Sequence, residues 1–208
     1  MLAPDDTYQL LRNLTSPVVA ITAALRDVRN GMIVDSAIRA SIVPTIPRLA
    51  IIVHKFNYSH DLIFESGRFV LHLLRTDQYP LIHHLGFQSR RDVDKLATVP
   101  FQTGVTGAPV LDDCHAHFEC RVVNAMDTGA SSCFLGDVVA VGFGAATGAR
   151  GDVMTAGHFR AHIPPAWRPQ YERLLREAQQ RAEGPSREIR PVVWRPGAAP
   201  RDEPQPPD

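Results

Sequence analysis

Lys55, Asn57, Ser59 and His60 cluster in the run Lys55-Phe56-Asn57-Tyr58-Ser59-His60. A cation beside small amide and hydroxyl side chains, in a turn with backbone N–H groups to offer, is what a phosphate monoester needs. The same residues also suit an ordinary polar turn, in which Asn57 and Ser59 cap the chain from Asp61 onward. A second cluster, Cys114-His115-Ala116-His117-Phe118-Glu119-Cys120, holds the donor types of a metal site. Side chains alternate along a strand, so His115, His117 and Glu119 share one face and both cysteines the other. The cysteines cannot join the histidines on one ion without a bulge. A polar strand face with two buried thiols is the plainer reading, and no metal is assigned. His83-His84 and His158/His162 are isolated pairs, and no nucleophile–base–acid triad is readable. Gly142-Phe143-Gly144 lacks the third glycine and the following helix of a dinucleotide fingerprint.

The elements that must position the phosphate turn are apolar runs punctuated at their ends. Ser41 and Pro44 close the first, IIVHKF carries the second and RFVLHLL the third. Arg29-Asn30-Gly31 reads as a hairpin-type turn, and Pro44 with Pro47 makes one sheet edge irregular. Tyr8, Leu11 and Leu14 recur at helical spacing over residues 7–15. Further helices are expected over 76–86 and 91–97, and Pro164-Pro165 introduces one over 168–183. Residues 184–208 carry seven prolines in 25 residues, a composition that cannot bury enough apolar surface to offset ordering. Val192, Val193 and Trp194 are the one sticky spot there, able to pack on the body or on a partner subunit, or to stay with a loose tail.

The 208 residues balance to zero formal charge, which gives no pull toward nucleic acid or an anionic membrane. Three cysteines at no framework spacing favour a reducing compartment. Asp5 and Asp6 precede any apolar run, and no run approaches the ~20 residues of a membrane span. A cytoplasmic protein is the expectation.

In chain order these features resemble the flavin reductase-like, FMN-binding split-barrel family. Its usual pattern runs N-G-M-T-x-S-S, S-L-x-P-P, N/K-x-S-x-x-T and G-x-F-x-V-N-x-L. Asn30-Gly31-Met32 matches the opening, Ser36 the second serine, and Ser41-Ile42-Val43-Pro44 the next motif. Lys55, Asn57 and Ser59 fall on the phosphate turn, and Gly67 to Leu74 on the last element. Asp94-Lys95-Leu96, Thr103 to Leu111, Glu119-Cys120-Arg121-Val122 and Phe134 to Val138 follow later landmarks, so the resemblance covers roughly residues 8–160.

The resemblance implies a mainly β fold, a six-stranded antiparallel split barrel with peripheral helices over residues 1–163; the chain's own composition adds a C-terminal helix over 164–183 and a Pro-rich extended or disordered tail over 184–208. It implies FMN, with FAD as the other flavin, NAD(P)H as co-substrate, and a homodimer with the flavin near the subunit interface. A flavin-dependent monooxygenase is the implied taker of reduced flavin. Met32, Ile33, Val34, Asp35, Ser36 and Ala37 would run beside the ring and ribityl chain, with Ser41, Ile42 and Val43 following. Lys55, Asn57, Ser59 and His60 would hold the phosphate. The flavin does the chemistry, so no catalytic side chain is named.

Three departures stand out. Ile33 and Asp35 replace the usual threonine and first serine. Asp35 would disfavour a reduced anionic flavin unless a cation such as Arg39 compensates, or it is simply a strand-end carboxylate. His72 stands where the family often has asparagine. Gly129 to Cys133 lacks the family's histidine beside the nicotinamide, leaving His158 as a substrate-side imidazole. Two other readings follow: a flavoenzyme of this fold acting on its own small organic substrate, or a non-catalytic flavin- or haem-binding module.

Overall fold

The computed structural model describes residues 4–14, 16–145, 152–191 and 194. Its main sheet has seven strands in the order β2-β1-β5-β8-β9-β4-β3, each pair antiparallel. These are β1 (Val19–Leu25), β2 (Val28–Val34), β3 (Ala37–Arg39), β4 (Arg48–His54), β5 (Arg68–Leu73), β8 (Ala116–Asp127) and β9 (Ser131–Phe143). A separate ribbon joins β6 (Phe101–Thr103) to β7 (Pro109–Leu111). The expected six-stranded split barrel is thus a curled sheet of seven, β3 being the short extra strand.

The expected turn at Arg29–Gly31 lies elsewhere. The β1–β2 hairpin turns at Arg26-Asp27, with Arg26 at φ 53°, and Leu25 pairs with Val28. Arg26 thereby takes the left-handed conformation that tight hairpins demand. Asn30 and Gly31 are strand residues, and a side chain at Gly31 would come within 3.1 Å of Leu85.

Phe69, Phe134, Ile21 and Ile51 are fully buried between the strands and helix α2 (Tyr58–Ser66). Burying one such side chain contributes about 2 kcal/mol. A second core, with Leu74, Ile82, Leu85, Leu96, Leu111 and Met154, lies around helices α3 (Tyr79–Gly86) and α4 (Ala156–His162). Pro80 sits in the first turn of α3, where its missing N–H is no loss. Helix α1 spans Pro4–Leu11, and the carboxamide of Asn13 donates to the carbonyls of Gln9 and Leu10 at its end. The helix expected over 91–97 is a chain of turns: the Asp94 carboxylate accepts from the Leu96 N–H, a local bond that competes with helix. Helix α5 (Arg168–Glu183) matches its expected span.

Candidate functional site

Strand β2 lies at the end of the sheet and pairs only with β1 in it. One row of its main-chain N–H and C=O groups therefore has no strand partner. Along this edge runs a crevice walled by the end of α3 and by α5. Gly86 at the end of α3 comes so close to Ile33 that an added Cβ would meet its side chain at 3.2 Å. The crevice has two parts. The larger, about 590 Å³, is bordered by Asn30, Met32, Asn57, Ser59, Gln88, Arg90 and Arg91. The smaller, about 250 Å³, is bordered by Ile33, Val34, Asp35, Phe159, Arg160 and Tyr171. Gly86, Phe87 and Leu174 border both. The larger part falls within the ~300–1,000 Å³ of small-ligand sites.

The expected phosphate turn is the first turn of α2. Asn57 is its N-cap in extended backbone, but its side chain makes no capping bond. A helix start offers N–H groups and the positive end of the helix dipole to an anion. Ser59 is fully buried, and its hydroxyl oxygen accepts from the Asn30 amide at 2.8 Å. The other amide atom of Asn30 is buried without a partner in this structure. Turning the amide over keeps the bond to Ser59, because a hydroxyl also donates, and presents N–H₂ instead. Either way a hydrogen-bonding group waits for a ligand.

The cations here are not the expected one. Lys55 lies at the far end of its turn and pairs with Asp127 at 2.8 Å. Burial alone would raise the Asp127 carboxyl, but Lys55 and the N–H groups of Gly129 and Arg190 outweigh it and hold it low. Arg90 and Arg91 border the larger cavity instead. Arg90 is held by the Arg29 carbonyl and by Asp94 at 3.7 Å. Arg91 donates to the Phe56 carbonyl and lies over the Tyr58 ring. Lys95 borders the same cavity, yet its ammonium is spent on the Leu85 carbonyl at 2.7 Å. Burial lowers it to about 8.

His60 is a core residue and borders neither part of the crevice. One ring nitrogen meets Ser132 at 2.9 Å, the other Asp61, and the ring packs against Phe64 and Phe134. Burial lowers its pKa. Ser131 likewise turns to His54 at 2.7 Å, so neither serine reaches the crevice.

The expected ring-side run divides. Met32 borders the larger part of the crevice, and Ile33, Val34 and Asp35 the smaller. Ser36 lies in the short link between β2 and β3 and borders neither. Ala37, Ser41, Ile42 and Val43 line a third, largely apolar groove of about 530 Å³ with Leu49, Phe118 and Val141. The reason is topological: β2 ends at Val34, and β3 pairs with β4 at the opposite end of the sheet order. Arg39 goes with it, so the cation bordering the same cavity as Asp35 is Arg160. His158 borders neither part of the crevice; its ring stacks on His162 at 4.3 Å. Glu119 is bound by the Thr106 N–H and hydroxyl, and no metal cluster exists among the described residues.

A crevice with an edge strand along its side, apolar Met32, Ile33 and Phe87, and a polar, cationic end fits a flat heteroaromatic ligand carrying a phosphate. Asn57 and Ser59, expected from the sequence, border this crevice. Arg90 and Arg91 border it too without having been expected, and the one sequence signal for them is an adjacent basic pair after Ser89.

The chain is similar to several known proteins. The high molecular weight rubredoxin of Moorella thermoacetica is 30% identical over 151 residues, 72% of this chain and 63% of that protein. A diflavin flavoprotein of Synechocystis matches at 28% over 124 residues, 21% of its length, so the chain spans only part of these relatives. An NADH-dependent FAD reductase of Streptomyces globisporus is 28% identical over 171 residues, 80% of this chain and 91% of that protein. In fold, the chain is similar to an FMN-binding protein from Thermus thermophilus with bound p-hydroxybenzaldehyde, with TM-score 0.59 and 24% identity over 64% of this chain and 74% of that one. No described helix is long and apolar enough to cross a membrane. Residues 11–162 match the flavin reductase like domain, and the chain belongs to that family.

Proposed function

We propose that this chain is a flavin reductase that binds FMN along the free edge of β2 and uses NAD(P)H as hydride donor. The observation that carries the reading is the crevice itself: Asn57, Ser59, Arg90 and Arg91 at one end, and the unpaired main-chain groups of an edge strand beside it. When bound, a flavin supplies the redox chemistry, taking up a hydride and releasing electrons to an acceptor. Arg90, Arg91 and the start of α2 would hold the phosphate, the edge of β2 would orient the hydrogen-bonding side of the ring, and Phe87 would exclude water. The names of the Streptomyces reductase and the Thermus FMN-binding protein support this reading, with FAD as the other flavin. Transfer of the reduced flavin to a partner monooxygenase belongs to the same proposal.

A second reading has its own support. No histidine borders either part of the crevice among the described residues, so no imidazole stands ready beside a nicotinamide. A flavoenzyme acting on its own small organic substrate would not need one. The absorption spectrum of the protein as isolated or reconstituted with FMN, followed by anaerobic mixing with NADH and NADPH, separates the two. Loss of the oxidised flavin band with either nucleotide is the expected result. A flavin that stays oxidised with both would leave the second reading.

We also propose a homodimer. Ile38, Ile42, Val141 and Phe143 are large apolar side chains left 64–85% exposed on or close to the third groove, and contiguous apolar surface of this kind marks an interface. Sedimentation velocity is expected to give a dimer at micromolar concentration, and Ile42→Asp a monomer; a monomeric wild type at all concentrations would refute it.

A further inference from the structure

Helix α5 lies beyond the residues that match the family domain, yet it roofs the crevice. Tyr171, Leu174, Leu175 and Ala178 recur at helical spacing as its half-buried stripe, and no residue of the helix is fully buried. A helix seated directly on a core buries part of its stripe; one laid over an open crevice does not. Tyr171 and Leu175 face the part beside Asp35, Ala178 and Arg181 the part beside Asn57, and Leu174 spans the two. Tyr171 and Arg181 are about 15 Å apart at ~1.5 Å per residue, the order of length of an extended flavin mononucleotide. The roof therefore runs the length of the ligand, ring to phosphate.

Its far end carries a cation. The Arg181 guanidinium carbon sits 4.8 Å from the centre of the Phe56 ring, at the residue before the Asn57 cap of α2. Phe56 also ties the cluster together, since its carbonyl accepts from Arg91. One turn back, Glu177 is taken up by Arg173 at 2.8 Å, and Arg181 has no carboxylate partner among the described residues. A guanidinium steadied on an aromatic face keeps its N–H fork available for an anion.

We propose that α5 is the outer wall of the flavin site and that Arg181 binds the ligand's phosphate monoester from outside the family domain. This rests on the reading of the crevice as a flavin site. The test titrates the full-length wild type, Arg181→Gln and Arg181→Lys with FMN and with riboflavin, following flavin fluorescence, with thermal unfolding of the ligand-free proteins as the check on folding. Arg181→Gln is expected to raise the Kd for FMN about tenfold, the scale of one charge-assisted hydrogen bond, and to leave riboflavin within about twofold. Arg181→Lys is expected to keep most of the FMN affinity. Equal weakening of FMN and riboflavin would mean that Arg181 only seats the helix, and undiminished FMN binding would remove the contact; either result overturns the proposal. A wild type that binds neither flavin would overturn the flavin reading beneath it as well.

Discussion

Replacing Arg90 and Arg91 together with alanine is expected to weaken FMN binding about a hundredfold and riboflavin binding only severalfold. Each arginine can make a charge-assisted hydrogen bond to a phosphate, worth about 1.5–3 kcal/mol. Losing two therefore removes about 3 kcal/mol, or two decades in Kd. The effect should be large because both side chains are already positioned. Arg90 is braced by the Arg29 carbonyl and Asp94, and Arg91 by the Phe56 carbonyl and the Tyr58 ring. Little conformational entropy is left to lose on binding. The wild-type affinity for FMN should also fall more steeply with salt than that of the double variant. Lys55→Ala is the informative contrast: its ammonium faces Asp127, so FMN affinity should barely change while stability drops. Fluorescence titration of the three proteins checks this, and a Lys55 effect on FMN as large as the arginine effect would relocate the phosphate.

The second large effect is acid instability centred on His72. This ring is fully buried on β5; one nitrogen donates to the Ala20 carbonyl at 3.2 Å and the other accepts the Leu111 N–H at 3.0 Å. Burial lowers its pKa to about 3, whereas an unfolded chain holds histidine near ~6.5. Below ~6.5 the unfolded state takes up a proton that the folded state refuses, so stability falls as pH falls, by about 1.4 kcal/mol per unit, until the folded value is reached. Between pH ~6.5 and ~4.5 this amounts to about 2 kcal/mol. His54 and His60 are also lowered by burial and add in the same direction. Denaturant unfolding across this range should show the slope, and His72→Asn should reduce proton uptake on unfolding by about one near pH 5. An unchanged slope in the variant would mean that the imidazole is not the group responsible.

What could be read in the sequence was whatever local pattern decides. The apolar runs around Ile51 and Phe69 became β4 and β5, and the helix over 168–183 appeared where Pro164-Pro165 announced it. Asn57 and Ser59 border the crevice because the turn that holds them is local. Helix α2 was not legible: Leu62, Ile63 and Phe64 are an apolar run between two strands, and periodicity does not separate a short buried helix from a strand. That Lys55 lies off the crevice was not legible, because its partner Asp127 is 72 positions away at the end of β8. Arg90 and Arg91 sit in turns, where a basic pair looks like ordinary solvated loop until the fold brings α2 against it. Ser131 and Ser132 looked like a gap in the nicotinamide site and are instead tied to His54 and His60.

The two ends of the main sheet are protected in different ways. At one end β3 is only three residues long and is followed by Pro44 and Pro47, too short and too interrupted to recruit another strand. At the other end β2 offers seven residues of open ladder. Among the described residues, the end of α3, the turns after it and the roof of α5 stand between that edge and another chain. A protein cut back to the residues that match the family would therefore present a long adhesive margin to its neighbours, and the C-terminal helix, whatever it contributes to binding, also guards the sheet against growing by edge-to-edge aggregation.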